Sequence, residues 1–322
     1  MTIFLSAQNS LCRGQVVNQV EDWQDWFAIG IQEHELLWRK ANGRSDSPAF
    51  FADLFLHQTK PERLLHSRSL YSEPTTYTGL NPLAPQAFVF HSSRCGSTLL
   101  LQMLSSDARF LCVSEPPLLD VALSALHYQQ ISATEFKHAL QALCLRRQPT
   151  QTHAVIKTDS WHLAELPRLR ALFPGTPMLY LFRDHAQVLA SHQRQCGPQM
   201  IAGMLDLNRL GLAEQSQAWD FSGWPDYLLS HSYELAAEYH ASYQLRLLNY
   251  SELPGALWQQ LLPEWRISLN SEQIAALQGA TLHHAKSRQV WQGDPSTTHP
   301  QVSARLQSAY DKLEQLAAIT QA

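Results

Sequence analysis

Phe88-Val89-Phe90-His91-Ser92-Ser93-Arg94-Cys95-Gly96-Ser97-Thr98-Leu99-Leu100 decides the fold. An apolar strand breaks into small polar residues and re-forms as an apolar helix, so a strand, a loop and a helix N-terminus follow one another directly. Such a turn leaves several backbone N–H groups without partners where the helix begins, and those groups bind phosphate oxygens. A helix terminus attracts an exposed anion by only about 0.3–1 kcal/mol, so a phosphate site also wants a cation, which Arg94 is placed to supply. Gly96 lets the backbone approach closely. Against the Walker pattern G-x-x-x-x-G-K-[ST], His91 stands at the first glycine and Ser97 at the lysine, which makes this a poor ATPase loop. Taken alone, the segment is equally an ordinary strand-to-helix turn whose Ser and Thr cap the helix.

Outward from this loop, short β-branched or aromatic runs alternate with helical patterns, the rhythm of βαβ units and a parallel sheet. Strands are predicted at Phe88–His91, Phe110–Val113, Ala154–Lys157, Met178–Phe182 and Arg246–Tyr250. Helices are predicted at Ser97–Leu104, Glu135–Leu145, Trp161–Leu172, Ala186–Gln193, over much of Ile201–Tyr243, and at Val302–Ala318. Before about Pro85 the chain reads as a helical cap: an aromatic-rich stretch around Trp23, Trp26, Phe27 and Trp38, then a short helix near Phe50–Phe55. The expected fold class is α/β, a P-loop-like doubly wound and mostly parallel sheet flanked by helices. The expected division is a helical N-terminal cap over 1–85 and the α/β domain over 86–322. No internal repeat is visible, which excludes a solenoid.

With 322 residues a substantial core is assured. The formal charge of -4 argues against coating nucleic acid or an anionic membrane, since either partner calls for a broad basic surface. Five scattered cysteines (Cys12, Cys95, Cys112, Cys144, Cys196) include no C-x-x-C pair, so neither structural zinc nor a disulfide framework is expected. His283-His284 lack a third ligand at useful spacing, and no metal is expected. No apolar run approaches the roughly 20 residues of a membrane helix, and the first residues lack the basic and apolar pattern of a signal peptide. A cytoplasmic location is the expectation that follows. Composition says nothing of the oligomeric state.

A second element sharpens the first. In Met178-Leu179-Tyr180-Leu181-Phe182-Arg183-Asp184-His185-Ala186-Gln187-Val188-Leu189-Ala190-Ser191, a buried strand ends in Arg183, a helix follows, and Ser191 stands eight positions after the arginine. Two helical turns return a hydroxyl toward the strand's C-terminal edge, where open α/β sheets bind ligands. At these two elements the chain resembles the sulfotransferases that use 3′-phosphoadenosine 5′-phosphosulfate (PAPS). That family has a loop of the form basic-x-Gly-[Ser/Thr]-Thr for the 5′-phosphosulfate, matched by Arg94, Gly96, Ser97 and Thr98. It also has a strand-end Arg with a Ser eight residues on for the 3′-phosphate, matched by Arg183 and Ser191. Val155-Ile156-Lys157-Thr158 resembles its middle strand, Arg246 to Leu253 its late strand, and Ser114-Glu115-Pro116 a Glu-Pro of bacterial members. The late Arg-Lys-Gly of cytosolic animal members is absent, although Lys286, Ser287 and Arg288 lie in a comparable place. The resemblance covers roughly Gln86 to Trp291.

The resemblance implies PAPS as donor, 3′,5′-ADP as product and a small-molecule acceptor. It implies donor contacts from Arg94, Cys95, Gly96, Ser97, Thr98, Leu99, Arg183, Ser191, Tyr250, Lys286 and Arg288. Sulfuryl transfer is an in-line displacement served by positioning and by neutralising charge on the leaving oxygen. Arg94 and Lys157 are the candidates for the second task. A general base must take the acceptor proton, and Glu115, Asp159 and His162 are the contenders, with Glu115 favoured. Glu115 is otherwise a solvated acid opening the helix after Pro116, and His162 a satisfied core histidine. Trp219, Phe221, Trp224, Tyr227, Tyr233, Tyr239 and Tyr243 either wall an acceptor pocket or simply pack a helix. A P-loop kinase and a non-catalytic nucleotide-binding protein are the alternatives.

Overall fold

The aromatic-rich stretch before Pro85 folds as strand, not as the expected helical cap. In the computed structural model, which describes residues 25–32, 35–41, 48, 50–55, 71–72, 81–214, 223–280 and 300–319, β1 (Trp26–Gln32) pairs antiparallel with β2 (Glu35–Lys40), and β2 with β3 (Tyr71–Ser72). Trp26 and Ala28 are buried while Phe27, Ile29 and Ile31 are only half-buried, the period of two that belongs to a strand with one covered face. That alternation outweighs the density of aromatic residues, which suit a strand at least as well as a helix. Between Ala28 and Gly30 the register shifts, leaving Ile29 as the extra residue of a bulge beside a glycine. The short helix expected near Phe50 is a 3₁₀ turn, Phe51–Phe55, whose Phe51 and Phe55 rings meet Phe27 edge-on at 5.9 and 6.4 Å. Trp23 lies outside the described residues.

The central element is a five-stranded parallel sheet flanked by helices. Its strands are β4 (Pro85–His91), β5 (Phe110–Ser114), β6 (His153–Lys157), β7 (Met178–Phe182) and β8 (Arg246–Asn249), in the order β5-β6-β4-β7-β8. Each is an apolar run, because a parallel strand covered on both faces has no solvent side to alternate with; every residue of Phe110–Ser114 and Met178–Phe182 is buried. The five predicted strands are all present. The pairings His91↔Leu181 and Phe182↔Asn249 level the ends of β4, β7 and β8. The residues that leave those ends, Ser92, Arg183 and Tyr250, therefore start from one edge.

The helices are α1 (Ser97–Ser105), α2 (Pro117–His127), α3 (Ala133–Leu143), α4 (Leu166–Leu172), α5 (His185–Arg194), α6 (Trp224–Tyr243), α7 (Ser271–Ala280) and α8 (Ala304–Ile319). The helix expected over Trp161–Leu172 is divided into a 3₁₀ segment, Ser160–Glu165, and α4, because Pro167 lacks the N–H that would continue one ladder. Of the helix expected over much of Ile201–Tyr243, the described residues form α6 alone. Gly203 (φ 84°) and Gly211 (φ 70°) take left-handed backbone that no helix accommodates. No helix was expected at α7.

Chain contacts divide into two units, Met1–Pro85 with Ala108–Ile156, and Gln86–Asp107 with Lys157–Ala322. Within the first, β1 packs against α2 and α3, and the Arg147 guanidinium stands 4.3 Å over the Phe27 ring. Within the second, α8 packs on α6: the Ser303 backbone and hydroxyl bond Asp226 at 2.9 and 2.5 Å, and Arg305 forks onto Glu234 at 2.7 and 2.6 Å.

Candidate functional site

The loop after β4 is shaped by three left-handed residues in four: Ser93 (φ 67°), Arg94 (φ 50°) and Gly96 (φ 83°). Gly96 is the N-cap of α1, and no side chain caps it, so the capping use of Ser97 and Thr98 is not what the loop does. The first helical bond runs from Leu100 N–H to the Gly96 carbonyl at 3.0 Å, and the N–H groups before it have no intrahelical acceptor. His91 holds the loop's entry. Ser93 N–H donates to its Nδ1 at 3.0 Å, which leaves Nε2 to donate to the Thr158 carbonyl at 3.0 Å. Burial works to raise the Cys95 thiol pKa, but hydrogen bonds with His91 and Ser92 outweigh it and leave the thiol below its ordinary value.

Two cations approach this loop. Lys157, at the end of β6, is fully buried and donates from Nζ to Thr98 Oγ1 at 3.3 Å. Arg183, at the end of β7, lies with its guanidinium carbon 4.5 Å from the centre of the Tyr250 ring and donates from Nε to Gln187 Oε1 at 2.7 Å. The same Tyr250 ring lies against Gly96, where an added Cβ would stand 2.5 Å from two ring carbons. One phenol ring thus touches both the loop and Arg183. The Tyr233 hydroxyl donates to the Arg183 carbonyl at 2.7 Å and fixes the backbone there. Asp184 caps α5 by accepting from Gln187 N–H at 2.8 Å, so the helix starts directly after Arg183. Ser191, half-buried, sits six residues into it, roughly 9 Å along the axis at 1.5 Å per residue. Arg94 donates to the Gln195 carbonyl, just past the end of α5, at 2.7 Å, a cation at a helix C-terminus.

No protein-family model matches the sequence, and no curated protein matches it. Solved structures similar to the chain include a sulfotransferase domain from the curacin biosynthetic pathway, with 17% identity over 73% of this chain and 99% of that one and a TM-score of 0.45. Sulfotransferase STF1 from Mycobacterium tuberculosis H37Rv has 13% identity over 74% of this chain and 78% of that one, with a TM-score of 0.44. A sulfotransferase from Alicyclobacillus acidocaldarius has 14% identity over 73% of this chain and 96% of that one, with a TM-score of 0.37.

The three candidate bases differ in setting. His162 is fully buried and accepts Asp159 N–H on Nδ1 at 3.2 Å, half of a capping box that starts the 3₁₀ segment. Asp159 is half-buried and leaves the same strand end as Lys157. Glu115 follows β5 with φ 50°, uncommon for a residue with a side chain, and belongs to the first unit. Lys286, Ser287 and Arg288 lie outside the described residues, as do His283, His284, Trp219 and Phe221. Among the described residues no group of three His, Cys, Asp or Glu is placed to hold a metal ion.

A pocket of ≈ 410 Å³, counting the space open at its mouth, begins at Ser92. Its walls are mostly aliphatic, from Leu163, Met200, Leu210, Leu228 and Leu235, with His231 and Ser232 on α6. The tyrosines of α6 do not line it. Tyr233 packs against Phe182 and Tyr310, and Tyr239 against Tyr243, so the aromatic series of α6 is mainly helix packing. Gln199 was not singled out in the sequence: its amide donates to Ser93 Oγ at 2.8 Å and its carbonyl accepts the Trp224 indole N–H at 2.9 Å. No sequence signal links Gln199 to a residue 106 positions earlier.

Proposed function

We propose that the chain is a sulfotransferase that binds PAPS at the loop Arg94–Leu99 and moves its sulfuryl group to an acceptor hydroxyl or amine. The observation that carries this reading is the Tyr250 ring, which touches both Gly96 and the Arg183 guanidinium. It draws together the two anion-binding elements that a nucleotide phosphorylated at both 5′ and 3′ positions requires, and a nucleotide with one phosphate cluster needs only the first. Uncapped N–H groups at the start of α1 and the Lys157 ammonium beside Thr98 serve the 5′ end. Arg183 and Ser191 serve the 3′-phosphate. In the reaction the acceptor oxygen forms a bond to sulfur as the bond from sulfur to the 5′-phosphate oxygen breaks. The products are a sulfate monoester, 3′,5′-ADP and one proton, which a base removes from the acceptor.

Thermal unfolding with 3′,5′-ADP, 5′-ADP and ATP tests the donor: 3′,5′-ADP is expected to stabilise most, and equal shifts for the three would defeat the assignment. Arg183→Ala should weaken 3′,5′-ADP by about 10–150-fold, the worth of a charge-assisted hydrogen bond of about 1.5–3 kcal/mol, and leave 5′-ADP nearly unchanged. Calorimetric titration of both nucleotides reads this, and an unchanged affinity for 3′,5′-ADP would sink it.

For the base, the committed Nδ1 and full burial of His162 favour the carboxylates. Of Glu115→Gln and Asp159→Asn, one should lower kcat by about 10²–10⁴-fold, the usual worth of a general base, while nucleotide binding persists. If neither does, proton removal is not the work of these residues.

A further inference from the structure

The Ser92 pocket adjoins the phosphate loop, and its lining is specific enough to name what enters it. Resting on the donor reading above, we infer that the acceptor is an uncharged hydroxyl compound with an apolar body, not an anionic or polyhydroxylated one. Among the described residues that line the pocket there is no Asp, Glu, Lys or Arg. A carboxylated or already sulfated acceptor would leave water and find no counter-charge there, an expensive transfer. A sugar would present several hydroxyls to walls that offer few partners. Leu163, Met200, Leu210, Leu228 and Leu235 instead reward an aliphatic or aryl body.

Most of the polar groups of the pocket are already engaged by the fold. The Ser232 hydroxyl is bonded to Tyr180 Oη at 2.7 Å, the His231 Nε2 bonds the Leu210 carbonyl at 3.1 Å, and the Gln199 amide is bonded to Ser93. Burial pushes the His231 imidazole below its ordinary value, which keeps it neutral. Ser92 is engaged as well, its hydroxyl bonded within the loop, so an acceptor meets one small hydroxyl, Ser160, in an otherwise apolar lining.

The test compares 1-octanol with octanoate and with trehalose in calorimetric titrations of the full chain, wild type and Ala164→Phe, with 3′,5′-ADP titrated in parallel. Ala164 lines the pocket and is only half-buried, packed against the cluster of Met200, Leu210 and Leu228, so a larger side chain there fills the cavity. Circular dichroism and retained 3′,5′-ADP binding report that the variant is folded. Octanol is expected to bind at least about tenfold tighter than octanoate or trehalose, and Ala164→Phe to weaken it at least about tenfold. Octanoate or trehalose binding as well as octanol overturns the inference, and so does octanol binding that ignores Ala164→Phe. No octanol binding beside normal 3′,5′-ADP binding overturns the inference alone. Octanol binding as expected without any 3′,5′-ADP binding supports the pocket and overturns the donor reading.

Discussion

Gly96→Ala is expected to destabilise the protein by about 2–4 kcal/mol and to weaken 3′,5′-ADP binding more than tenfold, two losses from one methyl group. Gly96 holds φ 83°, where an L side chain costs about 1–2 kcal/mol. The added Cβ would also stand 2.5 Å from Tyr250 Cδ2 and Cε2, well inside contact distance. The ring is also tied to the Arg183 guanidinium, whose carbon stands 4.5 Å from its centre. Relief must therefore come from moving the loop, the tyrosine and the arginine together, which are the groups proposed to hold the nucleotide. Overpacking of this kind costs about 1–3 kcal/mol. Denaturant unfolding and nucleotide titration of Gly96→Ala, Tyr250→Ala and the double variant separate the contributions. Because Tyr250→Ala removes the obstruction, the double variant should lose clearly less stability than the two single losses added. Strict additivity would show that the ring contact is not the cause.

The loop and the sheet were open to reading because their signals are local. Met178–Phe182 was placed residue for residue, and Phe110–Ser114 to within one, since buried parallel strands are apolar runs bounded by turn residues. The spacing from Arg183 to Ser191 works in the same way, through one strand end and one helix whose pitch is known. The N-terminal hairpin failed for a related reason. Trp26 to Ile31 offers only six alternating residues, interrupted by a bulge at Ile29, and its aromatic residues suit either element. Tyr250 was named through the late-strand resemblance, but its contact with Gly96, and the role of Gln199 altogether, lay beyond sequence pattern. Gly96 meets a ring 154 positions later and Ser93 an amide 106 positions later, and no periodicity carries such pairs. The aromatic residues of α6, open between walling a pocket and packing a helix, did not point to the face that lines the cavity. Leu228, Leu229, His231, Ser232 and Leu235, one face at helical spacing, line it instead.

Lys157→Met should lower kcat by about 10–100-fold while the variant still folds, because the ammonium acts on charge that develops only as the sulfuryl group leaves. Lys157 is fully buried and reaches Thr98, the second residue of α1, at 3.3 Å. A charge in so dry a place is worth more than at the surface, and it adds to the partial positive charge of the helix terminus. One charge-assisted hydrogen bond of about 1.5–3 kcal/mol accounts for the size of the effect. Methionine keeps the length and apolar stem of lysine, so packing around β6 should be preserved. Lys157→Arg is the stricter test: a planar guanidinium does not fit a space that admits no solvent around a single ammonium, and it should not restore the rate. Stopped-flow measurement of the transfer step under saturating donor reads both variants. A Lys157→Met protein that transfers at the wild-type rate would remove Lys157 from the chemistry and return it to the core of the sheet.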